Sequence, residues 1–94
     1  MSEPVSYVLT GRLDGGSAAG HEQALEAAIT DSQPNLVIDM TGLNYVSSAG
    51  LRVLLVAAKR ARGKGGDISL KRPSAAIREV LEISGFDKIL KIVD

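Results

Sequence analysis

The hydroxyl pair Ser47-Ser48, followed by Ala49-Gly50-Leu51, and the carboxylate of Asp39 are the groups of this 94-residue chain whose types and spacing could do chemistry. Asp39 stands toward the carboxyl end of an apolar run, where α/β sheets place their binding sites. The serines open a helical pattern. Two readings fit them. One serine caps the helix by accepting backbone N–H bonds, worth about 1 kcal/mol, or a hydroxyl is displayed on a rigid shoulder for modification. Nucleophilic catalysis is disfavoured: there is no G-x-S-x-G elbow, and the single histidine, His21, lies in another helical segment, where a lone histidine is normally solvated. The run Arg62-Gly63-Lys64-Gly65-Gly66-Asp67 superficially resembles a phosphate loop. Such a loop puts its glycines before a helix and ends in Gly-Lys-Ser/Thr, whereas these glycines follow a helix and read as a turn. Lys59, Arg60, Arg62 and Lys64 gather without an aromatic stacking set, since Tyr7, Tyr45 and Phe86 are the chain's aromatics; this describes a solvated helix end rather than a nucleic-acid patch.

Composition narrows the classes further. Hydrophobic residues make up 45% and charged residues 23%, which excludes a disordered chain. The length supports one core, so residues 1–94 read as a single domain. With no cysteine, disulfides, thiol chemistry and cysteine-ligated zinc are excluded. No apolar run approaches the roughly 20 residues of a membrane span, and no basic-then-apolar start resembles a signal peptide. The expectation is a non-enzymatic cytoplasmic protein without cofactor or metal, neither binding nucleic acid nor inserting into membranes. The formal net charge of zero conceals a polarity: residues 1–50 hold one cation and six acids, residues 51–94 ten cations and five acids. That dipole suits a charged partner.

The elements that must position the serines follow from periodicity. Residues 5–13 alternate as a strand, ended by Asp14-Gly15-Gly16. Ser17 is expected to cap a helix that stops before Pro34. Residues 35–40 form a short apolar run, as in a strand covered on both faces, and 41–46 read as a connector. A second helix runs from Ser48 to about Gly63 with Leu51, Leu54, Leu55, Ala58 and Ala61 on one stripe. Val53 and Val56 fall off that stripe, so they either widen a core-facing surface or form an apolar strip for a partner. Residues 67–71 form a third strand. Ser74 starts a third helix that Gly85 stops, and residues 89–93 finish as a strand or a half-helical tail. The order β–α–β–α–β–α–β requires crossovers, which are right-handed and leave neighbouring strands parallel.

Gly11-Arg12-Leu13-Asp14, Leu36-Val37-Ile38-Asp39-Met40-Thr41-Gly42-Leu43, Val46-Ser47-Ser48-Ala49-Gly50-Leu51 and the tail Pro73…Val80-Leu81…Ser84-Gly85-Phe86 together resemble a STAS domain, in the branch of bacterial anti-sigma factor antagonists. The resemblance spans nearly the whole chain. It implies an α/β fold, a small mixed sheet of four to five strands with helices mainly on one face. It implies partner switching: the unmodified antagonist binds a serine kinase of the histidine-kinase-like ATPase group, and is released when that kinase phosphorylates the residue opening the second helix. A PP2C-type phosphatase reverses the modification. Carried over by position, the acceptor is Ser48, with Ser47 the lesser alternative, and Asp14 and Asp39 match acidic positions beside it. Ser47, Ala49 and Gly50 join the partner-binding surface, and with the second helix so do Arg52, Val53, Val56 and Lys59. The family's usual Asp before the acceptor is here Ser47. The leading strand of many members has little room, so an exposed edge and a monomer or weak dimer are expected. The same resemblance extends to accessory subunits of ATP-driven lipid transporters, the alternative function.

Overall fold

Residues 4–94 are described by a computed structural model. Burial alternates along the strands as it must when a sheet is covered on one face. In β1 (Val5–Leu13), Leu9 and Leu13 are buried while Ser6, Val8 and Thr10 are exposed; in β2 (Leu36–Val46), Leu36, Ile38 and Met40 are buried. β3 (Ile68–Lys71) and β4 (Lys91–Val93) continue the sheet in the order β1-β2-β3-β4. The mixed sheet of four to five strands is, over the described residues, four-stranded with every pairing parallel. Successive right-handed crossovers in one direction put α1 (Ala18–Ala28), α2 (Ser48–Gly63) and α3 (Ala75–Ile83) on the same face. The core lies between, around Leu25, Ile38, Leu54, Leu70, Ile77 and Leu81.

Three local outcomes depart from the pattern reading. Residues 41–46 are not a connector. They extend β2 to Val46, paired with β1 through two register shifts that insert extra residues and turn the strand end toward α2. Ser17 does not cap α1 through its side chain. Asp14 organises that turn instead, its Oδ1 accepting from Gly16 N–H at 3.0 Å and Ser17 N–H at 3.2 Å, while Ser17 Oγ donates to the Arg12 carbonyl at 2.8 Å. The tail resolves into a 3-10 turn, Phe86–Lys88, followed by β4; Gly85 enters it at φ 77°, the left-handed conformation that lets glycine stop α3. Ser74 caps α3 as expected, accepting from Ile77 N–H at 3.2 Å.

Candidate functional site

The site is built where β1 and β2 end side by side. Leu13 pairs with Val46, and the Leu13 carbonyl accepts from Ser47 N–H at 2.9 Å. This bond ties the entry of α2 to the end of β1 and brings the Asp14 turn beside the serines. Ser47 serves the fold as the cap of α2. It is half-buried and extended (φ −95°, ψ 175°), its Oγ accepts from Gly50 N–H at 3.2 Å, and its carbonyl accepts from Leu51 N–H at 2.9 Å. Ser48 is the first helical residue and is exposed; its hydroxyl has no hydrogen-bond partner among the described residues. The two readings of the serine pair are thus divided between them, Ser47 as cap and Ser48 as displayed hydroxyl.

Helix geometry then selects a surface. Arg52, Val56 and Lys59 stand four, eight and eleven residues beyond Ser48, one stripe along the helix, and all are exposed. No acidic side chain stands in the first turn of α2, while Arg60 and Arg62 stand in its last, so the dipole's positive end is left open at Ser48. Two expected members fall elsewhere. Val53 is 4% exposed and belongs to the core, because α2 is covered by α1 as well as by the sheet; Leu51 and Leu55, placed centrally by periodicity, are only half-buried. Asp39 is on β2 seven residues before its end, alternating with Ile38 and Met40 and so facing away from the helices. It is not beside Ser48. Its Oδ1 accepts from Thr41 Oγ1 at 2.7 Å and Thr41 N–H at 3.0 Å. Gly50 is buried against Leu13 and Val46 and Ala49 is half-buried, so both shape the shoulder rather than offer side chains.

Two features were not foreseen. Arg12 lies 4.1 Å over the Tyr45 ring and holds Asp14 Oδ2 at 3.1 Å, a cross-strand stack at the rim of the site. A shallow groove between α1 and α2 is lined by Leu25, Val53, Val56 and Ala57, with Glu22, Glu26 and Arg60 at its rim and an Arg60–Glu26 ion pair of 3.5 Å. The sequence signal for the groove is the matched spacing of Glu22 and Glu26 on one helix with Val56 and Arg60 on the other.

The Thr41 hydrogen bonds hold the Asp39 carboxyl below the usual carboxylate range, and the Arg12 guanidinium, with the Gly16 and Ser17 N–H groups, does the same for Asp14. Depressed folded values mean these groups stabilise the fold above the unfolded pKa of about 4 and lose that contribution as pH falls through the folded values. Thermal melts are therefore expected to be level down to about pH 5 and to decline below it, with Asp39→Asn showing a shallower decline. The cap is tested separately. Ser47→Ala is expected to cost about 1 kcal/mol in denaturant unfolding while leaving Ser48 available.

A sequence profile of the family described as "Mlab, STAS domain" matches residues 2–93. BtrV, a candidate anti-sigma factor antagonist of Bordetella bronchiseptica, is 37% identical over 86 residues, 92% of this chain and 74% of that protein. The chain belongs to the STAS domain family. Another relative, the anti-sigma F factor antagonist of Paenibacillus polymyxa, is 29% identical over 87 residues, 92% of this STAS domain and 74% of the relative. The solved structure of the anti-sigma factor antagonist SpoIIAA in its unphosphorylated form superposes with a TM-score of 0.80 at 21% identity, covering 100% of this chain and 84% of that one, a likeness of fold. Among the described residues no helix is long and apolar enough to cross a membrane.

Proposed function

We propose that this STAS domain is a regulatory binding module of the anti-sigma factor antagonist type, which binds a serine kinase of the histidine-kinase-like ATPase group and is released when Ser48 is phosphorylated. The observation that carries the reading is the exposed, unpartnered Ser48 hydroxyl at the open positive end of α2, while its neighbour Ser47 is committed to the cap. The names of the relatives support the class of partner.

Phosphorylation adds about −1.5 to −2 charges and three acceptor oxygens. At a helix amino end the first-turn N–H groups and the dipole favour an anion, so the fold keeps its shape. The change falls on the docking stripe. One turn on, Arg52 stands at the i,i+4 spacing where opposite charges pair, so the phosphate draws the guanidinium inward and removes a cation from the surface offered to the kinase. The dianion itself must then be desolvated against the partner's packed surface, which is costly without a compensating cation. A PP2C-type phosphatase restores the hydroxyl.

A second reading, an accessory subunit of an ATP-driven lipid transporter, is the other function that the family resemblance implies. Isothermal titration of the unmodified chain against the cognate serine kinase and against a transporter ATPase separates the two. Saturable binding to the kinase that disappears on phosphorylation supports the first reading. Binding to the transporter ATPase with none to the kinase overturns it.

A further inference from the structure

We infer that the groove between α1 and α2 seats a basic side chain of the kinase, a lysine or arginine whose stem lies on Val56 and whose charged head meets Glu22. The inference rests on the kinase-binding role proposed for this chain, and it extends the docking surface from α2 onto α1.

Glu22 and Glu26 stand one turn apart on α1, and Val56 and Arg60 one turn apart on α2, around the same groove. Each helix returns between parallel strands, so the two run in the same direction. Glu26 is paired with Arg60, Oε1 to Nη1 at 3.5 Å, which closes the groove at the end away from Ser48. One turn nearer Ser48, Glu22 stands at the level of Val56. It is exposed, and among the described residues no cation is paired with it.

Below these carboxylates the lining is apolar. Leu25, Val53 and Ala57 form the floor, and Val56 is 38% exposed along the α2 bank. The enclosed volume is about 80 Å³, roughly half of a ~150 Å³ cavity that takes a benzene ring. A slender chain of methylenes enters where an aromatic ring does not. An apolar floor under an unpaired carboxylate suits a lysine or arginine, because its stem is apolar and its head must keep a polar partner. Arg60 already meets that need at Glu26, and the partner's side chain repeats the arrangement one turn on.

The kinase is the source because the groove is continuous with the Ser48 stripe. Val56 belongs to both, and Arg52 and Lys59 flank it on the exposed side of α2. Val56 lies eight residues beyond Ser48, about 12 Å along the helix, whereas the Debye length at physiological salt is about 8 Å. The groove contact is therefore little changed by a phosphate on Ser48. It adds affinity and selects the partner, while the shoulder carries the switch.

Isothermal titration of the full, unphosphorylated chain against the cognate kinase tests this. Glu22→Lys sets like charges against each other and is expected to weaken binding by at least about tenfold, and Glu22→Gln by a smaller factor. Ala27→Lys, on the opposite side of α1, adds a cation to the same helix and should leave affinity unchanged. All three should keep the wild-type circular dichroism spectrum. Wild-type affinity that Glu22→Lys leaves intact, or that Ala27→Lys lowers equally, would overturn the inference and spare the proposed function. No binding by the wild type would overturn both. Val56→Cys, which becomes the chain's one thiol, should react with a maleimide readily in the isolated chain and slowly in the complex. Failure to react in the isolated chain would show the groove filled by the chain itself. A wild-type dimer in sedimentation equilibrium that Glu22→Lys dissociates would assign the groove to a second copy. Either result would overturn the inference.

Discussion

Ser48→Asp is expected to weaken kinase binding by about 3–5 kcal/mol, on the order of a hundred- to several-thousand-fold, while leaving the fold intact or slightly more stable. The two effects have opposite signs because they arise on opposite sides of one hydroxyl. Toward the chain, an aspartate at the first helical position meets the amino end of α2, where no acid stands; a carboxylate there contributes about 0.3–1 kcal/mol of stability. Toward the partner, the same carboxylate stands at the head of the Arg52, Val56 and Lys59 stripe, and docking must strip it of water. Ser48→Ala keeps the surface neutral and is expected to bind with nearly unchanged affinity while resisting modification. Isothermal titration paired with thermal melts reads both quantities on the same samples. A Ser48→Asp variant that loses binding only in proportion to lost stability would place the effect in folding, not at the interface.

Gly50→Ala carries a large expected loss of stability, about 3 kcal/mol, or roughly 15 °C in unfolding temperature for a domain of this size. The cause is a close approach. A methyl group on Gly50 would press into the Leu13 carbonyl oxygen and come within 2.8 Å of Leu13 Cγ and 3.0 Å of Val46 Cγ2. The carbonyl in question is the one that accepts from Ser47 N–H, so relief of the clash lifts the start of α2 from β1 and loosens the shoulder that presents Ser48. Differential scanning calorimetry checks the magnitude, and a fall of less than about 1 kcal/mol would mean that α2 has room to move, contrary to the geometry above.

Much of the architecture was legible because periodicity and punctuation agreed. The alternation of β1, the Ser74 cap and the Gly85 stop are local signals, and each survives in the fold. The misreadings share a cause: they depend on what lies across the chain. Residues 41–46 look like a connector because their extra residues break the strand alternation, and only pairing with β1 reveals them as strand. Ser17 has the right type for a cap, but its hydroxyl donates back to the Arg12 carbonyl while Asp14 organises the turn through the Gly16 and Ser17 N–H groups. Val53 looks like a member of an exposed strip until α1 is laid over it. Asp39 lies close to Ser48 in the family pattern, yet the length of β2 and the alternation of its faces set the two apart. The Arg12–Tyr45 stack and the α1–α2 groove are products of register and helix packing, so no single window of sequence contains them. Ser48 itself was found through the family resemblance. The division of labour between Ser47 and Ser48 required the cap geometry.

The most direct test is to phosphorylate the chain with its cognate kinase and ATP and to locate the modified side chain by fragmentation mass spectrometry. Both serines fall in one tryptic peptide, between Arg12 and Arg52, so backbone fragments cut between Ser47 and Ser48 decide the matter. The account predicts phosphate on Ser48 with Ser47 unmodified. Phosphate on Ser47, or on neither serine while the kinase still lets go, would contradict it.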